Sequence, residues 1–288
     1  MASIMGSLIM QSEGDAWREV EIQIFARSPT EDGLLVPAVA EPLLVWIIAG
    51  SAFVEERELN GEWHGRKVSK CDFFLTHATA PYMMRWKSDN GASFEVLHLY
   101  LGLSLLSRMI AEVAGQKSGV RLRDVSGAQD DVISSLLTVL HKEMQASSAA
   151  SSIFVQGIAQ SLTIHLVRSY GETSDEPARK LDQLPRYKLR RAVDFMEENL
   201  AEEFNLEKVA QAAGMSRFHF SRGFRSSMSQ SPSQWFIRQR ITRAQELLRE
   251  TDLPIIEIAM TVGYESPSHF AQVFRRETGV SPNQYRTG

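Results

Sequence analysis

The chain has 288 residues, 43% of them hydrophobic, with 31 Lys and Arg against 35 Asp and Glu and a single cysteine, Cys71. That length allows two buried cores, the net charge of -4 excludes binding to nucleic acid by bulk charge alone, and one cysteine excludes an internal disulfide or a CxxC metal site. MASIMGSLIM is too short for a secretory signal and lacks its basic start, and no run reaches the ~18 apolar residues of a membrane span, so a soluble cytoplasmic protein that engages no membrane is expected.

From about Glu21 to Leu101 the apolar segments are short and rich in valine, isoleucine and aromatics: EIQIF, LLVWIIAG, AFVEERE, DFFLTH, YMMRW and FEVLHLYL. Each is broken by Gly, Pro, Asn or Asp, which predicts a small antiparallel barrel or sandwich. From Ser104 the period turns helical. Leu105, Met109, Ile110 and Val113 mark one helix, Ile133, Leu136, Leu137, Leu140 and Met144 a second, and Phe154, Ile158, Leu162 and Leu166 a third. The last two are expected to run antiparallel, joined near Ala146 to Ser152. GETSDEPARKLDQLPR, residues 171–186, is polar with two prolines and is read as a linker that spans roughly 20 to 24 Å as a coil.

The remaining residues state one motif twice. VAQAAGMSRFHFSRGFR from Val209 returns as IAMTVGYESPSHFAQVFRR from Ile258. In each copy an apolar helical stripe (Leu206, Val209, Ala210 and Ala213; Ile255, Ile258, Ala259 and Val262) ends at a glycine, Gly214 or Gly263. A capping serine, Ser216 or Ser266, then opens a second helix. Phe220 and Phe224, like Phe270 and Phe274, lie four apart on that helix and are read as core. The pattern is helix, tight turn, helix, in which the second helix enters a DNA major groove. Between the copies, Ser231, Pro232 and Gln234 form a capping box that opens a long helix through Trp235 or Phe236, Ile237, Ile241, Ala244 and Leu248. Ser281, Pro282 and Gln284 repeat the box, with Tyr285 in the place of Trp235. Charge follows the motif: from Arg186 onward 15 Lys and Arg meet 12 Asp and Glu, net +3, which leaves 16 against 23, net -7, before it.

Residues 187–288 resemble the DNA-binding domain of the AraC/XylS family of transcriptional regulators, through both units and the stretch GYESPSHFAQVFRRETGVSPNQYR. By position, the resemblance implies base contacts from Phe218, Ser221 and Arg222 on the first recognition helix and from Ser268, His269 and Gln272 on the second. Arg217, Arg225, Arg275 and Arg276 would hold phosphates. The chemistry suits these roles, since Arg222 can donate twice to guanine, Gln272 can pair with adenine, and Phe218 can lie on a thymine methyl. The family often carries a basic residue where Gln272 stands, so the second helix is expected to bind more weakly or to prefer another base.

The resemblance also implies an α+β chain with a cupin-like β-barrel and dimerisation helices in 1–170, the linker in 171–186, and an all-α domain of two helix-turn-helix units joined by a long helix in 187–288. His64, His77 and His98 lack the HxH spacing of metal-binding cupins, and His219 and His269 fall in different units without a second local ligand, so neither a metal nor a cofactor is expected. Trp46, Trp63, His77, Tyr82, Arg85, Trp86 and His98 are candidates to line an effector pocket, although most such aromatics serve as core. No catalytic motif is present, and Cys71 is read as a small core hydrophobe. The expected function is an effector-responsive, dimeric activator on double-stranded promoter DNA, not an enzyme, with RNA polymerase as a further candidate partner. The alternatives are a ligand-independent regulator, or a cupin enzyme with a DNA-binding appendage.

Overall fold

The computed structural model describes residues 6–77, 79–115, 119–146, 149–173 and 182–287. The chain divides into two compact units, Met1–Arg186 and Tyr187–Gly288. Residues 174–181, the centre of the expected linker, and 147–148, within the expected helical turn, lie outside the described residues.

Among the described residues, the first unit carries β1 (Ser7–Gln11), β2 (Val20–Arg27), β3 (Thr30–Val36), β4 (Leu43–Ala49), β5 (Ser51–Glu58), β6 (His64–Ser69), β7 (Asp72–Thr76), β8 (Tyr82–Ser88) and β9 (Phe94–Leu101). After α1 (Leu103–Ala114) come β10 (Val120–Leu122), β11 (Val125–Gln129), α2 (Asp131–Gln145), α3 (Ser152–Tyr170) and β12 (Gly171–Thr173). The strands form a six-stranded sheet, β1-β2-β9-β4-β7-β11, a four-stranded sheet, β3-β8-β5-β6, and the ribbon β10-β12. All pairings are antiparallel.

Strand alternation sends each side chain of the large sheet to one of two cores. Leu44 and Trp46, Phe73 and Leu75, and Leu97 and Leu99 join the core shared with α1 to α3. Ile47, Phe74 and Val96 face the other way, packing with Ala52, Val54, Val68 and Trp86 of the small sheet. The central strands β4 and β9 are therefore buried on both faces, which is why LLVWIIA and FEVLHLYL are near-continuous apolar runs. β1, β3, β6 and β11 lie at sheet edges. β3 buries only Leu34 and β6 only Val68, so neither shows an apolar alternation in sequence, and the sequence reading missed both. Gly171–Thr173, placed in the linker by composition, pairs as β12 with β10.

Two further readings need correction. The buried stripe of α3 is Val155, Ala159, Leu162 and Leu166, whereas Phe154 is 44% exposed; the sequence stripe was one residue out of phase at its start. Cys71, read as a core hydrophobe of the strand that carries Asp72–Phe74, stands instead in the β6–β7 turn at φ 74, partly buried against the core. Asp130 caps α2 by accepting from the Val132 and Ile133 N–H groups. Its other oxygen accepts from Tyr170 Oη (2.8 Å) and pairs with His165 Nε2 (2.8 Å), which ties the start of α2 to α3.

The second unit continues from α4 (Arg186–Glu198) through α5 (Leu206–Ala212), α6 (Arg217–Met228), α7 (Pro232–Glu250), α8 (Ile255–Thr261), α9 (Pro267–Thr278) and α10 (Pro282–Thr287). Ser231 and Gln234 form the expected reciprocal box at the start of α7. At α10, Gln284 N–H donates to Ser281 Oγ and Ser281 N–H to Gln284 Oε1. The first residues of α7 serve the first repeat, with Trp235 against Phe224 (6.3 Å between ring centroids) and Phe236 against Phe204 (5.3 Å). Its later residues Ile241, Ala244, Leu247 and Leu248 belong to the core of the second, with Ile258, Phe270 and Phe274.

Candidate nucleic-acid interface

Both turns are built alike. Gly214 and Gly263 adopt φ +63 and +81, a region closed to most side chains. Met215 N–H donates to Ala210 O at 2.9 Å and Tyr264 N–H to Ala259 O at 2.8 Å. Ala210 and Ala259, which accept these bonds, are fully buried and present only a methyl at the turn. The tilted ring pairs Phe220–Phe224 (5.5 Å) and Phe270–Phe274 (5.6 Å) fix the inner faces of α6 and α9.

Helical geometry then settles the outer faces. On α6, Phe220, Gly223, Phe224 and Ser227 are buried, while Arg217, Phe218, Arg222 and Arg225 are exposed and Ser221 is half-buried. On α9, Phe270, Val273 and Phe274 are buried, while Ser268, His269, Gln272, Arg275 and Arg276 are exposed. Phe218, at 71% exposure, is a large apolar ring held in water at the first turn of its helix. The two caps differ. Ser266 Oγ accepts from His269 N–H as expected (3.3 Å), but Ser216 Oγ instead meets the His219 ring at Nδ1 (2.9 Å). Arg217 pairs with Glu207 of α5 (3.0 Å), and Arg276 pairs with Glu277 (2.9 Å).

In the first unit, a cavity of ≈50 Å³ lies between the two sheets. Tyr82, Trp86 and His98 line it, with Leu34, Phe74 and Phe94. Trp46 faces the helices on the opposite side of the large sheet. Trp63 stacks on the Arg57 and Arg85 guanidiniums (4.5 and 4.3 Å to the ring centroid). Arg85 also makes a two-pronged pair with Glu55 (2.6 and 2.8 Å). Trp46, Trp63, Arg85 and His77 are not among the residues that line the cavity.

Sequence reasoning missed Arg27, which lines the cavity, lies 2.9 Å from His98 Nε2 and sits over the Trp86 ring at 5.1 Å. The signal was its phase: Gln23, Phe25 and Arg27 alternate along β2 and all are buried. Burial lowers the Arg27 pKa to about 10 despite the opposing influence of Tyr100, Glu31 and Tyr82. Burial, then the Arg27 and Arg186 charges, holds His98 well below the usual histidine range. Among the described residues no group of three or more His, Cys, Asp or Glu is placed to hold a metal ion, and no helix is long and apolar enough to cross a membrane.

The family model described as "Helix-turn-helix domain" matches residues 209–288. The virulence regulon transcriptional activator VirF of Yersinia enterocolitica is 30% identical over 199 residues, 67% of this chain and 72% of that protein. The regulatory protein SoxS of Salmonella typhimurium is 34% identical over 94 residues, 33% of this chain and 88% of that protein. Among solved structures, the DNA-binding domain of AdpA in complex with a target DNA is 41% identical and covers 35% of this chain and 90% of that one, with a TM-score of 0.33. The chain spans less than half the length of two further curated relatives, ArgR (45%) and GbdR (28%) of Pseudomonas aeruginosa. With the duplicated unit and the VirF and SoxS matches together, the chain belongs to the AraC/XylS family of transcriptional regulators.

Proposed function

We propose that this protein is a cytoplasmic, effector-responsive activator that binds promoter DNA through two successive major grooves per chain. One observation carries the reading: α6 and α9 present equivalent polar faces to solvent from equivalent cores. Phe218, Ser221 and Arg222, then Ser268, His269 and Gln272, read bases, while Arg217, Arg225, Arg275 and Arg276 hold phosphates. The first unit, through β12, serves sensing and pairing, the segment after β12 joins it to the second, and 187–288 serves DNA. Genome-wide mapping of bound DNA tests the reading; enrichment no greater than for random sequence would refute it.

The first unit supports the sensory half. Two sheets enclosing one apolar core suit a cupin-like barrel, and the cavity joins apolar walls to Arg27, Tyr82 and His98. An effector bound there acts only if it favours one arrangement of the chain over another. Ile153 is 88% exposed and Phe154 44% at the start of α3, and Val132 is 46% exposed on α2, which supports these helices as the homodimer face. RNA polymerase is the further partner an activator requires. A thermal-shift screen with small aromatic acids, amines and sugars tests the sensor, because a ligand of the native state raises the melting temperature.

A further inference from the structure

The two helix-turn-helix turns differ in one respect. A Cβ at Gly214 would meet nothing within 4 Å, whereas one at Gly263 would stand 2.4 Å from Arg240 Nη2 and 2.6 Å from Ala201 O. The turn of the second repeat is thus pressed against the segment that leads into the first, with the Arg240 side chain in the contact. Arg240 lies midway along α7, between the residues that serve the first repeat and those that serve the second. Its Nε donates to Leu200 O at 2.7 Å and its Nη2 to Glu202 O at 2.6 Å, both in the loop before α5. The same guanidinium lies over the Phe236 ring at 4.7 Å and the Tyr264 ring at 5.3 Å, and Tyr264 follows Gly263 in the second turn.

We propose that Arg240 is a positioning residue that locks the two helix-turn-helix units at one mutual angle, so that α6 and α9 meet DNA as a single rigid reader. The proposal rests on the two-groove reading above. α7 packs into the first repeat through its first residues and into the second through its later ones, so contacts at its middle bear on the angle between the two. A planar cation with donors aimed at one unit and a face stacked on the other fixes that angle. Lysine cannot replace it, because a single ammonium does not reach two carbonyls in the fixed geometry of the fork. With the relative angle set before binding, the second groove is met at no further ordering cost.

The test uses the full chain with Cys71→Ser, spin-labelled at Gln211→Cys on α5 and Met260→Cys on α8, both exposed positions. The parent should give one narrow distance distribution, and Arg240→Met and Arg240→Lys should broaden it. On DNA, the affinity added by a second adjoining half-site should fall about tenfold in both variants, while single half-site affinity stays within about twofold. Preference for the natural spacing over one base pair more or fewer should flatten. Tyr264→Leu removes the stacked ring and should broaden the distribution in the same way, which covers the case in which either Arg240 variant fails to fold. Unchanged distance widths would overturn the proposal, as would an equal loss on single and double sites. A parent chain with a narrow distribution that gains nothing from a second half-site would instead refute the two-groove reading, and with it the role given to Arg240.

Discussion

Arg222→Ala separates base reading from simple charge attraction. Arg222 is exposed, so its removal should leave folding within about 0.5 kcal/mol of the parent. It lies on α6 two residues after Phe220 and two before Phe224, the buried pair that holds this face toward solvent. A guanidinium there can make one bidentate pair with guanine, worth about 1 to 3 kcal/mol, or roughly 5- to 150-fold in affinity. Arg275, on the last turn of α9, should contribute a phosphate contact instead. Fluorescence anisotropy on the operator, on operators changed one base at a time, and on random duplex, each at several salt concentrations, distinguishes the two. Arg222→Ala should lose most on the operator and become indifferent to one base. Arg275→Ala should weaken all duplexes alike and lower the salt slope by about 0.9. Equal losses on operator and random DNA for Arg222→Ala, or a changed base preference for Arg275→Ala, would refute the division of roles.

Glu207→Gln should strengthen binding to every duplex a few-fold, because it frees Arg217 from an exposed ion pair and removes a negative charge beside α6; competition binding checks this. Gly214→Ala should cost about 1 kcal/mol from its positive φ alone, and Gly263→Ala about 2 to 4 kcal/mol because its Cβ also collides with Arg240 and Ala201 O; chemical denaturation checks the order. His98 stays neutral in the folded chain but is protonated in the unfolded chain near pH 6.5, so its contribution is full above that pH and is lost as pH falls below it. His98→Gln should therefore lose less stability than the parent between about pH 7.5 and 5.5, up to about 1.4 kcal/mol per pH unit. Asp130→Asn should destabilise the α2–α3 pair at neutral pH: burial raises its pKa, but the His165, Ile133 N–H and Tyr170 hydrogen bonds outweigh this and hold the carboxyl below its usual value. That difference from the parent should vanish as pH falls through the carboxylate range, as thermal melts would show.

Legibility in the sequence followed burial. The repeats were readable because each turn needs a positive-φ glycine, each recognition helix needs two phenylalanines four apart, and each following helix starts with a Ser-Pro-x-Gln box. All of these are local requirements. The inner strands of the large sheet, β2, β9, β4 and β7, were readable because both faces are covered, whereas the edge strands β1 and β11, with no buried residue, and β3 and β6, with one each, left no periodic trace. The cavity was only partly legible: Arg27 and His98 come from the large sheet and Trp86 from the small one, and no spacing in the chain encodes the packing of the two sheets that brings them together. Arg240 could have been noticed, because it falls four residues from Phe236 and four from Ala244, on the buried stripe of α7, where a charge demands partners. Those partners, Leu200 O and Glu202 O, are backbone atoms about forty residues away and have no sequence signature.

Hydroxyl-radical footprinting of the full chain on its best-bound duplex tests most directly whether α6 and α9 read adjoining grooves. Two protected windows on one face of the DNA, centred about 10 base pairs apart for each bound chain, are expected. A single window per chain, or two on opposite faces, would contradict it.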